Sequence, residues 1–312
     1  MASMRDIQRR KQSIESTEQI TKAMKLVATV RLQKARAAAE KSKPYFEYLY
    51  KTVNSILSRS GNIEHRYLKS SDEGNGRNAV IVITANRGLA GGYNNNVVKL
   101  LTKDENFSPD KTDIFLIGKK GGDILLRNGY SIKEDYSDAV NDPIYRDAME
   151  ICEDVLTGYE NGDYSEIYVA YTKFKNTVVH IPEMLKLLPV DTVDKQSKSK
   201  EDINNKAGEI SKDNNSDSDA QNKIDNLTFM SYEPNEEVVL DSIIPKYMTG
   251  LIYGALVEAV ASENGARMSA MDSATSNAEE MIEELALLYN RARQGSITQE
   301  LTEIIAGAEA LN

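Results

Sequence analysis

Tryptophan is absent from this chain, histidine occurs twice and cysteine once in 312 residues. A single cysteine excludes an internal disulfide and suits a reducing compartment. Its setting, AMEICEDVL with apolar neighbours at helical spacing, makes Cys152 a buried structural thiol. His65 and His180 lie far apart and lack the x-x-H or C-x-x-C company of a zinc site, so no metal is expected. No serine or cysteine has a nucleophile context, and no catalytic site is expected. No run approaches 18 consecutive apolar residues, and no apolar h-region follows the basic N-terminus, which predicts neither a membrane span nor a secretory signal. The net charge of −10 disfavours nucleic acid as the main partner, although the basic N-terminal stretch keeps a local patch. Proline and glycine are missing from residues 5 to 43, and proline does not recur after Pro245.

Those two proline-free stretches carry helical patterns. Near the C-terminus, Met271, Ala274, Ala278, Met281, Leu285, Leu288 and Ala292 step 4, 3, 4, 3, 4, 3. That period of 3.5 keeps one seam facing a partner helix, as in a left-handed coiled coil. The pattern extends back through Leu240, Ile244, Tyr247 and Leu251. It predicts a helix over about 236 to 310, on the order of 110 Å long at ~1.5 Å per residue. A helix of that length must lie largely against something outside the chain's own core. At the other end Ile7, Ile14, Ile20, Met24, Val27 and Ala35 fall near helical spacing. Residues 1 to 60 hold 13 Lys or Arg against 5 acids, a net of +8, whereas residues 235 to 312 hold 4 against 13, a net of −9. Laid antiparallel, the two helices would attract, and their flanking charges would help set register.

Between them lie short β-branched runs at 78–84 (NAVIVIT), 113–117 (DIFLI) and 166–171 (EIYVAY), separated by helical patterns at about 92–102, 119–128 and 143–158. This alternation implies βαβ units, hence a central Rossmann-like α/β domain with a mostly parallel sheet, over about 75 to 190. The turn Gly88-Leu89-Ala90-Gly91-Gly92 invites a phosphate-binding reading, but it lacks G-x-G-x-x-G spacing, and the second strand ends Gly118-Lys119-Lys120 where an acid would be needed. No Walker pattern occurs, so no nucleotide is expected, and a tight turn with close helix packing is the alternative. Residues 191 to 226 are rich in Lys, Asp, Asn and Ser without an aromatic residue, which reads as a flexible surface insertion with a weak helix near 200–212. The division expected is therefore an N-terminal coiled-coil helix over 1–60, the α/β domain over 75–190, the insertion over 191–226, and a foot segment plus C-terminal helix over 227–312. Acidic pairs such as Glu279-Glu280 and Glu283-Glu284 read as solubilising charges.

Three colinear segments resemble one family. Ile20-Thr21-Lys22-Ala23-Met24-Lys25-Leu26-Val27-Ala28 is similar to the ITKAM-x-[ML]-VA run of the gamma subunits of F-type rotary ATP synthases. TANRGLAGGYN at 84–94 resembles their SDRGLCGGYN loop, with Ala90 where the family has cysteine. SENGARMSAMDSATSNA at 262–278 and LYNRARQGSITQELTEIIAGAEAL at 288–311 are similar to the C-terminal signature. The resemblance covers the chain except for 191–226, an insertion longer than the usual bacterial loop.

The resemblance implies a rotor shaft without bond chemistry of its own and without a cofactor. Its terminal helices would enter a hexamer of alpha and beta subunits, and its α/β domain would lie beside an epsilon subunit and above a membrane-embedded c-ring, one copy per complex, at the cytoplasmic face of the cell membrane. Turning of the c-ring by ion flow would then drive the beta sites through states of different nucleotide affinity, and hydrolysis would run the cycle in reverse. Carried over by residue, Arg293, Gln294, Thr298, Glu300, Thr302 and Arg267 match contacts with beta subunits. Met24 matches a position facing a beta loop, with Lys22 and Lys25 adding positive charge. Tyr232 and Glu233, with Pro234, match the foot near the c-ring and epsilon. The alternative is a static coiled-coil scaffold with an α/β head, which predicts a uniformly large apolar seam. A nucleotide-dependent enzyme would need a phosphate site that the 86–94 loop does not supply.

Overall fold

The structure, a computed structural model, describes residues 4–59, 65–68, 76–177, 179–190, 233 and 235–310. Two helices dominate it: α1, Met4–Arg59, and α5, Glu236–Ala310, of 56 and 75 residues. At ~1.5 Å rise they are ~84 and ~112 Å long. Between them in sequence come β1 (Asn78–Ile83), α2 (Tyr93–Thr102), β2 (Thr112–Ile117), α3 (Lys119–Arg127), β3 (Ser131–Asp135), α4 (Tyr145–Glu160), β4 (Glu166–Phe174) and β5 (His180–Leu188).

The strands form one sheet in the order β3-β2-β1-β4-β5, parallel except for β5, which runs antiparallel at the edge. Because strand side chains alternate between faces, β1 sends Ala79, Ile81 and Ile83 into a core shared with α4, α1 and α5. Val80 and Val82 pack on the opposite face with Val97, Leu101 and Leu125 of α2 and α3. The head is therefore three layers, and its outermost layer on one side is the shaft itself. The apolar runs at 78–84, 113–117 and 166–171 are the buried strands expected of them. The edge strands β3 and β5 escape the periodicity: SIKED is exposed apart from Ile132, and β5 carries Pro182. A proline is tolerated on an edge, where a missing N–H costs no internal ladder bond.

The long helices lie antiparallel. The Thr21 and Thr275 hydroxyls share a buried hydrogen bond of 2.8 Å, and Phe46 and Tyr50 approach Tyr253 and Tyr247 farther down. Burial along α1 follows Ile7, Lys11, Ile14, Glu18, Thr21, Lys25, Ala28, Leu32 and Ala35, in alternating steps of four and three. On α5 it follows Met271, Thr275, Ala278, Ile282, Leu285 and Tyr289. This corrects the expected seam at every second position. Met281 and Leu288 are 48% and 49% exposed, and Ile20 and Val27 face solvent as well. The seven-residue period is the expected one, but alternate seam positions fall one residue later, at Thr275 and Ile282, with Thr275 meeting Thr21 across the pair. One window of α5 is apolar and long enough to cross a membrane by composition alone, but half of it is buried within the chain. The 191–226 insertion, with its expected helix near 200–212, lies outside the described residues.

Candidate functional site

Two places on the shaft concentrate chemistry: its tip, and its junction with the head. The Thr21–Thr275 register puts Met4, 17 residues before Thr21, opposite residue ~292, so α5 from 293 onward projects past α1 by ~27 Å at ~1.5 Å per residue. Side chains from 297 to 308 are all exposed. At about 100° per residue, Ile297, Leu301, Ile304 and Ile305 form one apolar stripe with Gln294 at its start; Thr298 and Thr302 lie on one flank, and Arg293 and Glu300 on the other. The Thr298 and Thr302 hydroxyls donate to the carbonyls of Gln294 and Thr298 at 2.9 and 2.8 Å. Such back-bonding leaves the hydroxyl oxygens able to accept from a partner.

Below the tip, Met24 is half-buried beside the seam. Lys22 pairs with Glu279 at 3.3 Å as well as with Glu18, and Lys25 pairs with Asp272. The positive charge expected to face a beta subunit is thus shared with α5. These pairs are solvated and contribute little stability. Tying a basic helix to an acidic one, they favour one register. Glu233, expected at the foot, is exposed, while Tyr232 and Pro234 lie outside the described residues.

Arg267 is placed differently from expectation. It is 7% exposed, and its Nη2 donates to Glu263 Oε1 at 2.7 Å and to the carbonyls of Arg87 and Gly88 at 3.3 and 3.4 Å. Its Nη2 is engaged within the chain, where α5 meets the loop after β1. Burial pushes the Glu263 carboxyl above its ordinary range, opposed by the Arg267 guanidinium, with Arg31 and Arg87 adding to that opposition. Nearby, the Tyr93 hydroxyl donates to the Ala259 carbonyl at 3.1 Å, and Ser262 Oγ donates to the Thr172 carbonyl at 2.9 Å. Gly265 lets the head come this close: a Cβ there would stand 2.7 Å from His180 Cε1.

These contacts lie at the carboxyl ends of β1 and β4, between which the strand order reverses. In open α/β sheets of this kind that crevice takes the ligand; here α5 passes through it. Ser262, Glu263 and Tyr93 lie in the family-like segments but are not read as site residues, and from sequence His180 is weighed only as a metal ligand. Only the Glu263–Arg267 pair left a signal there, its i, i+4 spacing on a helix.

A family model described as ATP synthase matches residues 3–311. The ATP synthase gamma chain of Lachnoclostridium phytofermentans is 55% identical, with all of both chains covered. A chain of Acetobacterium woodii named ATP synthase gamma chain, sodium ion specific, is 41% identical over 99% of each. Among solved structures, a chain of the Euglena gracilis mitochondrial ATP synthase, OSCP/F1/c-ring in rotational state 3, matches with a TM-score of 0.62 over 99% of this chain and 94% of that one, at 18% identity. At that identity the likeness speaks for the fold. Since the family match and the full-length relatives span the shaft, the head and the tip alike, the chain belongs to the family of ATP synthase gamma chains.

Proposed function

We propose that the chain is the central rotor shaft of an F-type ATP synthase, coupling ion-driven turning of a c-ring to conformational cycling of catalytic beta subunits, or running in reverse with hydrolysis. One observation carries this reading: α5 continues past its own partner helix with an apolar stripe, Ile297, Leu301, Ile304 and Ile305, that nothing among the described residues covers. An isolated helix of that length is marginal in water, and a contiguous apolar stripe marks a surface that another protein covers. A sleeve formed by alpha and beta subunits suits it. The exposed Ile20, Val27, Met281 and Leu288 lower on the shaft fit the same enclosure. A static scaffold accords less well with a seam that places a threonine pair and a lysine at its centre.

In this role the partner-facing groups are Met24, Arg293, Gln294, Thr298, Glu300 and Thr302. Arginine offers a planar donor fork, and the amide and hydroxyl groups can exchange partners as the shaft turns. Tyr232 and Glu233 belong to the foot, near epsilon and the c-ring. The catalytic work belongs to the beta subunits, the head serves as a docking body, and the complex sits at the cytoplasmic face of the cell membrane, with this chain held there peripherally in one copy.

Reconstitution with alpha and beta subunits tests this. A bead fixed to the head should turn under ATP; an assembled complex whose bead stays still would remove the rotor reading. Within the turning complex, Arg293→Ala/Gln294→Ala should leave assembly intact and slow turnover by ~10-fold or more, the effect of losing one charge-assisted hydrogen bond of about 1.5–3 kcal/mol in the rate-limiting step. Unchanged turnover would assign torque to the bulk shape of the helices.

A further inference from the structure

Resting on the rotor reading, we propose that the Glu263–Arg267 pair is the joint that fixes the head's angular position on the shaft, with Arg267 acting as a positioning residue and not as a contact to a beta subunit. The pair sits where shaft and head meet. Both residues belong to α5, yet the Arg267 guanidinium reaches across to the carbonyls of Arg87 and Gly88 in the loop after β1. An ion pair as enclosed as this one, with Glu263 8% and Arg267 7% exposed, is poor value for stability, because desolvation offsets most of its attraction. What it supplies is direction. One nitrogen, Nη2, meets a carboxylate on its own helix and two carbonyls of the loop, and such directional contacts resist sliding and twisting in a way that apolar packing does not.

The loop shows the same constraint. Leu89, the residue after the two clasped carbonyls, has φ of 63° and is 62% exposed. A bulky residue in the left-handed region persists only where its surroundings over-determine it. Asn94 Oδ1 accepts from the Ala85 N–H, and Asn86 bridges Ser137 and Lys119, which pins one side of the loop to the head. Arg267 pins the other side to the shaft. Beside the apolar core that both long helices share with the sheet, shaft and head are therefore also joined through a loop with little freedom to flex.

The test uses the rotating complex, with the bead on a biotin-acceptor tag inserted after the exposed Lys103 in the head. The variant is Glu263→Gln/Arg267→Met, which removes both charges so that neither is left buried alone. Expected are an ATP hydrolysis rate that is retained and a loss of the narrow distribution of bead angles at each dwell. An ideal Cβ on Gly91 lies 4.0 Å from that of Ala270, within the separation a disulfide spans. Adding Gly91→Cys/Ala270→Cys to the variant and oxidising it should restore the narrow distribution, which a role in beta contact would not allow. Slower hydrolysis with unchanged angles would overturn the proposal in favour of a beta contact, and unchanged values of both would make the pair passive. Should the double variant fail to assemble, Arg267→Lys keeps the charge but, on a shorter side chain, loses the reach of Nη2 to the loop carbonyls; it should broaden the angles too, and a wild-type distribution there overturns the joint. A wild-type bead that does not turn would instead count against the rotor reading.

Discussion

Residues 255–267 and 297–308 belong to one unbroken helix, yet one stretch is enclosed and the other bare. In the enclosed stretch Ala255, Ala259 and Ala261 are buried, as are Ser262 and Gly265, so that α1 and the sheet approach the backbone closely. The tip instead carries Ile297, Leu301, Ile304 and Ile305, large side chains with nothing in the chain to pack on. Large apolar groups occur in both stretches: Leu256 and Val257 are buried in the enclosed one, between its small residues, while those of the tip are bare. The difference is not in the residues but in what reaches them: Leu256 meets its own chain's core, whereas Leu301 is left to whatever encloses the tip.

The sharpest break of this comparison is a pair of identical substitutions. Leu256→Ala, at a fully buried position, should cost about 2–5 kcal/mol by denaturant unfolding of the purified chain. Leu301→Ala, at a position 55% exposed, should shift it by less than ~0.5 kcal/mol while weakening assembly with alpha and beta subunits. Equal effects would mean that the tip packs within the chain in solution. Next in size is Gly265→Val: its Cβ meets the His180 ring, and overpacking there should cost about 1–3 kcal/mol, read as a drop in the urea midpoint.

Smaller changes probe the polar seam. Thr21→Val alone leaves the Thr275 hydroxyl without its buried cross-helix partner and should cost ~1 kcal/mol, whereas Thr21→Val/Thr275→Val should recover most of that. A double variant that is worse than the single would show the bond to be more than local. The smallest effect expected is one of pH. Burial of His180 between Phe174 and Gly265 holds its pKa below the ordinary 6.5. The unfolded chain therefore takes up this proton first, and the stability contributed by the neutral ring is present above pH 6.5 and is lost as pH falls below it. His180→Phe should flatten the stability profile just below pH 6.5; an unaltered slope would place the responsible group elsewhere.

Much of this was legible from residues alone. The span of α5, the three buried strands and the antiparallel pairing of a basic with an acidic helix all follow from period and charge. The seam was readable only in part, because the helices carry two sets of apolar positions one residue apart. Choosing between Met281 and Ile282, or between Ile20 and Thr21, needs knowledge of which set meets its own partner and which meets another chain. The candidate site divides in the same way. Arg293, Gln294 and Thr298 stay at the exposed tip where linear position put them, but Arg267, in the same signature, turns inward to Glu263 and the loop carbonyls.

By itself the sequence determined what depends on near neighbours: helix length, the seven-residue period, strand alternation, the fold class and the family. Tertiary structure alone decided the phase of the seam, the edge strands Ser131–Asp135 and His180–Leu188, and the burial of Arg267. Periodicity and propensity are set by residues within a turn or two. The direction in which a side chain is enclosed is set by what arrives from far along the chain: Thr21 at Thr275, His180 at Gly265, and the Arg87 carbonyl at Arg267.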